Sequence, residues 1–101
     1  MPKNMSLAEW GNRSKALSEA FNAIPGCTDW FVSAGARRRN AIAAAVNSKI
    51  PKEKAGLSGE FEAAYYELLW KEAQLHQEAY GFWPTFEVEE IEYDAIGDNQ
   101  E

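Results

Sequence analysis

Between Gly59 and Tyr80, apolar residues fall on nearly every side of a helix. The core stripe consists of Phe61, Ala64, Tyr65, Leu68, Leu75 and Ala79. Roughly the opposite side carries Ala63, Tyr66, Trp70 and Ala73. A helix of this kind is buried on more than one side. The pattern predicts a helix over residues 59–80, with Ser58 as N-cap and Gly81 after its last turn.

Two amphipathic helices are predicted before this one. The first runs from about Ser6 to Ala23, because Ser6 and Glu9 form a capping box and apolar residues follow at helical spacing. The second runs from about Asp29 to Ser48, with Thr28 as N-cap. Its small residues, which include Gly35, are expected to let another helix approach closely.

The whole chain of 101 residues fits one domain. We expect an all-α three-helix domain over residues 6–81, preceded by a loose leader over residues 1–5. Residues 82–101 form an acidic and aromatic C-terminal arm. Trp83 precedes a proline and cannot easily be helical, and no other stretch of the chain offers a strand to pair with the arm. The arm is therefore predicted to be extended or a short helix.

Two charged residues fall in the middle of apolar stripes. Arg38 lies within the stripe of the second helix, and Glu72 lies within the stripe of the third. Charged side chains are rarely buried without a partner. We therefore predict a structural ion pair between Arg38 and Glu72, which His76 could join. The alternative is that Arg38 extends along neighbouring alanines to water.

Charge is divided unevenly along the chain, whose formal net charge is −6. Residues 1–54 hold nine Lys/Arg and four Asp/Glu, whereas residues 55–101 hold one Lys and twelve Asp/Glu. Such asymmetry is typical of interaction surfaces. The alternative is that the two halves fold together and partly neutralise each other.

The C-terminal arm is the most promising functional element, because acidic residues alternate there with large apolar ones. Such a segment can dock in a basic-rimmed groove or add a strand to a partner's sheet. Tyr66 and Trp70 either pack under the arm or face a partner, as is common for interface aromatics. The predicted partner-binding residues are Tyr66, Trp70, Trp83, Phe86, Glu87, Glu89, Glu90, Ile91, Glu92, Tyr93 and Asp94.

These features favour a small acidic inhibitor or adaptor that binds a larger protein with a basic surface. One form would occlude the nucleic-acid-binding site of a host enzyme, as some phage proteins do; this is an analogy of physical type. The first alternative is a nucleic-acid-binding regulator that uses Arg37, Arg38 and Arg39. The second is a homo-oligomeric structural component with Tyr66 and Trp70 buried between copies.

The sequence offers little chemistry for catalysis or for cofactors. Cys27 and His76 are its single cysteine and histidine, too few for a Cys/His zinc site. A helix N-terminus near Cys27 could lower its pKa, but no partner base is evident, and no glycine-rich phosphate loop occurs. We expect neither an enzyme nor a cofactor. No run approaches the roughly 20 apolar residues of a membrane span, and a reducing cytoplasm is the expected location.

Overall fold

The computed structural model describes residues 2–89. It contains α1 (Leu7–Asn22), α2 (Cys27–Asn47), a short 3-10 helix (Lys52–Lys54) and α3 (Gly59–Tyr80). No strand occurs within these residues. The predicted all-α class with three helices is therefore confirmed.

The ends of α1 and α3 follow from local capping. The Ser6 hydroxyl accepts a hydrogen bond from the Glu9 N–H at 3.0 Å, as the capping pattern predicted. Gly81 ends α3 in the left-handed region, with φ 88°, and its N–H donates to the Gln77 carbonyl. The predicted bounds of the third helix are thus confirmed. Helix α2 begins at Cys27 with Gly26 as its N-cap, earlier than the predicted start at Asp29 with Thr28 as N-cap.

A kink interrupts α2 at Gly35, where φ is 84° and ψ is 165°. This region of conformational space is essentially restricted to glycine. No atom outside the local backbone lies within 4 Å of where a Cβ would be. Gly35 therefore serves the bend and not the close helix approach that the sequence suggested.

Helix α3 is central, because α1 and α2 both pack against it and contact each other much less. The Tyr65 ring of α3 meets the Phe21 ring of α1 at 5.9 Å between centroids. The same ring lies 5.5 Å from Trp30 and 5.7 Å from Phe31 of α2. One aromatic cluster thus joins all three helices.

The broad apolar surface of α3 is explained by this arrangement. Its second face is covered by α2, where the buried cluster comprises Ile42, Ala43, Val46, Tyr66, Leu69 and Ala73. Tyr66 is only 4% exposed, and its hydroxyl donates to the Ile50 carbonyl at 2.7 Å. Burial of that hydroxyl is thereby compensated.

The start of the chain is attached to the end of α3. The N–H groups of Lys3 and Asn4 both donate to the Ala79 carbonyl, at 3.0 and 2.9 Å, and the Asn4 amide donates to the Glu78 carbonyl. The last carbonyls of a helix have no partner within it. Residues 3 and 4 of the expected loose leader supply those partners here.

Candidate functional site

Residues 83–89, here called the C-terminal segment, form neither helix nor strand and lie along α2. The Asn47 side chain donates to the Phe86 carbonyl at 3.0 Å and accepts from the Phe86 N–H at 2.8 Å. Asn40 binds Glu89 in the same way, at 2.9 and 2.7 Å. Each asparagine therefore satisfies both main-chain groups of one residue in the segment.

The spacing of these contacts shows the form of the segment. Asn40 and Asn47 are two helical turns apart, about 10.5 Å along the axis. Phe86 and Glu89 are three residues apart, which span about 9–10 Å in an extended chain, so the segment is extended between the two contacts. Trp83, Phe86 and Glu89 all contact the domain, so every third residue of the segment is attached to it.

Trp83 covers one end of the aromatic face of α3. Its ring stacks on Trp70 at 5.8 Å between centroids, and Trp70 stacks in turn on Tyr66 at 6.3 Å. Lys49 follows the C-terminal end of α2, and its ammonium lies 4.8 Å from the centroid of the Trp83 ring. This distance is typical of a cation–π interaction. Both Tyr66 and Trp70 therefore pack against other parts of the chain. Tyr66 is buried and offers no surface to a partner, whereas Trp70 is partly buried beneath Trp83.

Arg39 holds the other end of the segment. Its Nε and Nη2 donate to the two carboxylate oxygens of Glu89, at 2.6 and 2.8 Å. Its Nη1 donates to the Phe31 carbonyl, and the guanidinium lies 4.5 Å from the centroid of the Phe31 ring. This hydrogen-bonded pairing lowers the pKa of Glu89 and raises the pKa of Arg39. Arg39 thus connects the C-terminal segment to the part of α2 before the Gly35 kink.

The predicted Arg38–Glu72 ion pair is corrected by the structure. Arg38 Nε donates to the Glu62 carboxylate at 2.8 Å, and its Nη2 donates to the same carboxylate and to the Gly56 carbonyl. Glu72 lies towards α1, where its carboxylate hydrogen-bonds to Ser18. Helical periodicity gives the face of each helix but not the axial register between helices, so it pointed to the wrong carboxylate.

Glu62 and Glu72 have opposite electrostatic environments. The hydrogen bond from Arg38 and a second from the Ser58 N–H hold the pKa of Glu62 below its usual value. Burial raises the pKa of Glu72, and its hydrogen bond to Ser18 offsets this only in part. Glu62 is thus a stabilised anion, while Glu72 is a carboxylate penalised by its surroundings.

His76 joins no ion pair within residues 2–89, and it packs at the turn after α3. Its Nδ1 lies 3.1 Å from the Phe82 carbonyl. Its ring stacks on Tyr80 at 4.4 Å and meets the Phe82 ring at 5.0 Å. These contacts fix the direction in which the chain leaves α3 towards the segment.

The two oppositely charged halves of the chain do meet. Four ion pairs join them within residues 2–89: Arg13–Glu78, Arg38–Glu62, Arg39–Glu89 and Lys52–Glu67. The partial neutralisation considered from the sequence is therefore present. Among the acidic residues of the segment, Glu87 is left exposed on its outer side.

The outer side of the segment carries apolar residues beside that carboxylate. Val88 is 56% exposed, and Phe82, just before the segment, is 60% exposed. Of the predicted partner-binding residues, Glu90, Ile91, Glu92, Tyr93 and Asp94 lie outside the described residues.

Sequence reasoning missed the residues that hold the segment. Asn40 and Asn47 are seven residues apart and therefore share a helix face, which was a usable signal. It did not identify what they bind, because an amide side chain can pair with any exposed main chain.

Within residues 2–89, no group of three or more His, Cys, Asp or Glu side chains is arranged to hold a metal ion, and none of the helices described there is long and apolar enough to cross a bilayer. Comparison with known proteins finds no family model, no curated protein and no solved structure that matches the chain.

Proposed function

We propose that the protein acts by binding a larger protein with a basic surface, as an inhibitor or adaptor, through the outer side of the C-terminal segment. The supporting observation is that a segment fixed on α2 leaves Glu87 and Val88 exposed, as is Phe82 just before the segment. Apolar side chains beside carboxylates suit a hydrophobic patch rimmed by lysine or arginine.

Fixing the segment in advance favours this role. An extended peptide that is disordered before binding loses conformational entropy when it is captured. The paired hydrogen bonds of Asn40 and Asn47 already hold Glu89 and Phe86 in place. A partner therefore meets a surface whose main chain is ordered, and more of the contact energy is available for affinity.

The arginines of α2 support protein binding over nucleic-acid binding. Arg38 and Arg39 are both engaged by carboxylates of the same chain. A phosphate backbone would have to compete with Glu62 and Glu89 for them. In this proposal the acidic side of the protein meets the partner, and occlusion of a nucleic-acid site on that partner is one form of inhibition. The protein would act in a reducing cytoplasm, which suits its buried free thiol, Cys27.

Affinity capture from an extract of the native host tests the proposal. Immobilised wild-type chain is compared with a Glu87→Lys, Val88→Ser variant, whose changed side chains lie on the outer side of the segment. The matched control carries Glu53→Lys and Val32→Ser, the same changes at exposed sites outside the segment.

The wild-type and control chains are expected to retain one basic protein, more weakly at high salt, and the segment variant is expected to lose it. Equal retention by all three chains would contradict the proposal. A gel shift with generic DNA and RNA on the same samples would reveal the nucleic-acid alternative.

A further inference from the structure

The surface of α2 beneath the segment has the properties of a peptide-binding groove. It consists of Arg39, Asn40 and Asn47 of α2, with Lys49 just after the helix and Trp70 of α3. The two asparagines hydrogen-bond only main-chain groups of the occupant. Main-chain hydrogen bonds of this kind contribute affinity, and the side chains of the occupant supply the specificity.

Side-chain specificity comes from three contact points spaced by the repeat of the occupant. Trp70 and Lys49 hold an aromatic ring, here that of Trp83. The buried cluster between α2 and α3 takes a second ring, that of Phe86. Arg39 takes a carboxylate, that of Glu89, through two hydrogen bonds. The groove therefore fits the pattern aromatic-x-x-aromatic-x-x-acid in an extended chain.

We propose that this groove binds an extended peptide of that pattern from another protein, and that the chain's own segment is a competing intramolecular occupant. The occupant is held by non-covalent contacts that are partly open to water: Trp83 is 40% exposed, and the Glu89 side chain is 46% exposed. A short tether gives the chain's own segment an effective concentration in the millimolar range. A peptide supplied in trans must compete with it, so its apparent affinity for the wild-type chain is reduced.

The geometry also sets a rule for proline in the ligand. The N–H groups of Phe86 and Glu89 donate to the asparagines, and proline has no such group. The described structure shows no comparable bond from the N–H of Glu87 or Val88. Proline is therefore excluded at the ligand positions that correspond to Phe86 and Glu89. It is accepted at those that correspond to Glu87 and Val88.

Fluorescence polarisation with a labelled peptide of sequence FWPTFEVE, matching residues 82–89, tests the groove on the full chain. A Phe86→Ala, Glu89→Ala chain, whose own segment is weakened, is expected to bind the peptide at least about tenfold more tightly than wild type. Adding Asn40→Ala and Asn47→Ala to that chain is expected to remove binding. A chain with Glu89→Ala alone keeps the Phe86 ring against the buried cluster. It allows the same peptide-binding measurement if the double variant folds poorly.

Two altered peptides complete the test. The peptide with Phe86→Pro is expected not to bind, and the peptide with Val88→Pro is expected to bind like the parent. The proposal is overturned if folded chains with a weakened segment do not bind the parent peptide, or if the asparagine substitutions leave binding unchanged. It is also overturned if light scattering shows that these chains capture the segment of a second copy, since the occupant would then be the protein itself.

The groove and the outer side of the segment are different surfaces. If the wild-type chain captures no basic host protein while the weakened chain binds the peptide, the proposed function alone fails. If capture occurs as expected but the peptide does not bind, the groove alone fails.

Discussion

Asn47 forms two hydrogen bonds with Phe86, one to its carbonyl and one from its N–H, at 3.0 and 2.8 Å. The side-chain amide thereby takes the place that a neighbouring strand would fill in a sheet. Asn40 repeats the arrangement with Glu89 two helical turns earlier. A segment that makes no regular secondary structure is in this way fixed on a helix.

Hydrogen exchange of the segment should follow this arrangement residue by residue. The amides of Phe86 and Glu89 donate to asparagine oxygens, whereas those of Glu87 and Val88 lie between these two hydrogen-bonded residues. We expect NMR-detected exchange about tenfold or more slower at the first two than at the second two. Uniformly fast exchange would mean that the segment leaves α2, and an alternating pattern would indicate a strand.

Gly35→Ala should destabilise the protein by about 1–3 kcal/mol, because its φ of 84° and ψ of 165° are accessible only to glycine. Gly11→Ala is the matched control, since Gly11 also lies within a helix and also has open space where the new methyl group would sit. Its φ is not positive, so this change should stabilise by about 0.5–1 kcal/mol.

Urea unfolding followed by circular dichroism measures both glycine variants. The two predicted signs are opposite, although the substitution is the same. Two stabilised variants would show that α2 runs straight through residue 35 in solution.

The coupling between Arg39 and Glu89 should be measurable by a double-mutant cycle with alanine. The Arg39 side chain is nearly buried, and its Nε and Nη2 both donate hydrogen bonds to the Glu89 carboxylate. We expect a coupling of about 0.5–1 kcal/mol, since nearly half of the Glu89 side chain remains open to water. The control is the Lys15–Glu19 pair, which is exposed and 3.9 Å apart, and should show less coupling. Equal coupling in the two pairs would contradict a specific attachment of the segment.

Cys27 should be unreactive towards thiol reagents until the protein unfolds. Its position at the start of α2 suggested a lowered pKa, but the side chain is fully buried, and burial raises the pKa of its thiol, with a further contribution from Glu60. Modification by a disulfide reagent is expected to follow global unfolding as urea is added. Rapid modification of the native protein would show local opening at the start of α2.

The extent of the helices could be predicted where the sequence carries a local stop or start signal. Ser6 begins α1 and Gly81 ends α3, because capping depends on a few neighbouring residues. Ser58 precedes α3 as predicted, although its side chain makes no capping hydrogen bond. The Gly35 kink carried no such signal, since an isolated glycine is compatible with a regular helix and with a break.

Relations between elements were less accessible from the sequence. The charged residue Arg38 was correctly expected to need a partner, but the partner is Glu62 and not Glu72. Choosing between two carboxylates on one helix requires the axial register, which depends on packing of the whole interface. The same limit hid the role of Asn40 and Asn47, whose binding partners lie 49 and 39 residues away along the chain.

Two substitutions of glutamate by glutamine on α3 should change the dependence of stability on pH in opposite directions. The pKa of Glu62 is lowered in the folded state by Arg38 and by the Ser58 N–H, so its contribution is present at neutral pH and is lost as pH falls through that lowered pKa. Glu62→Gln should therefore reduce the free energy of unfolding at pH 7, by about 1–2 kcal/mol for a charge-assisted hydrogen bond that is partly open to water. The difference from wild type should shrink in acid.

Glu72 should behave in the reverse sense, because burial raises its pKa in the folded state. The stabilising contribution of a group with a raised pKa is present when it is protonated and is lost as pH rises through the folded value. Glu72→Gln, which keeps an oxygen to accept from Ser18, should make the protein more stable than wild type at pH 7 and about equally stable at low pH. Urea titrations of wild type and both variants between pH 3 and pH 7, a range chosen to bracket ordinary carboxylate pKa values of about 4, separate the two effects. A destabilised Glu72→Gln at pH 7 would mean that its bond to Ser18 outweighs the penalty of burying the charge.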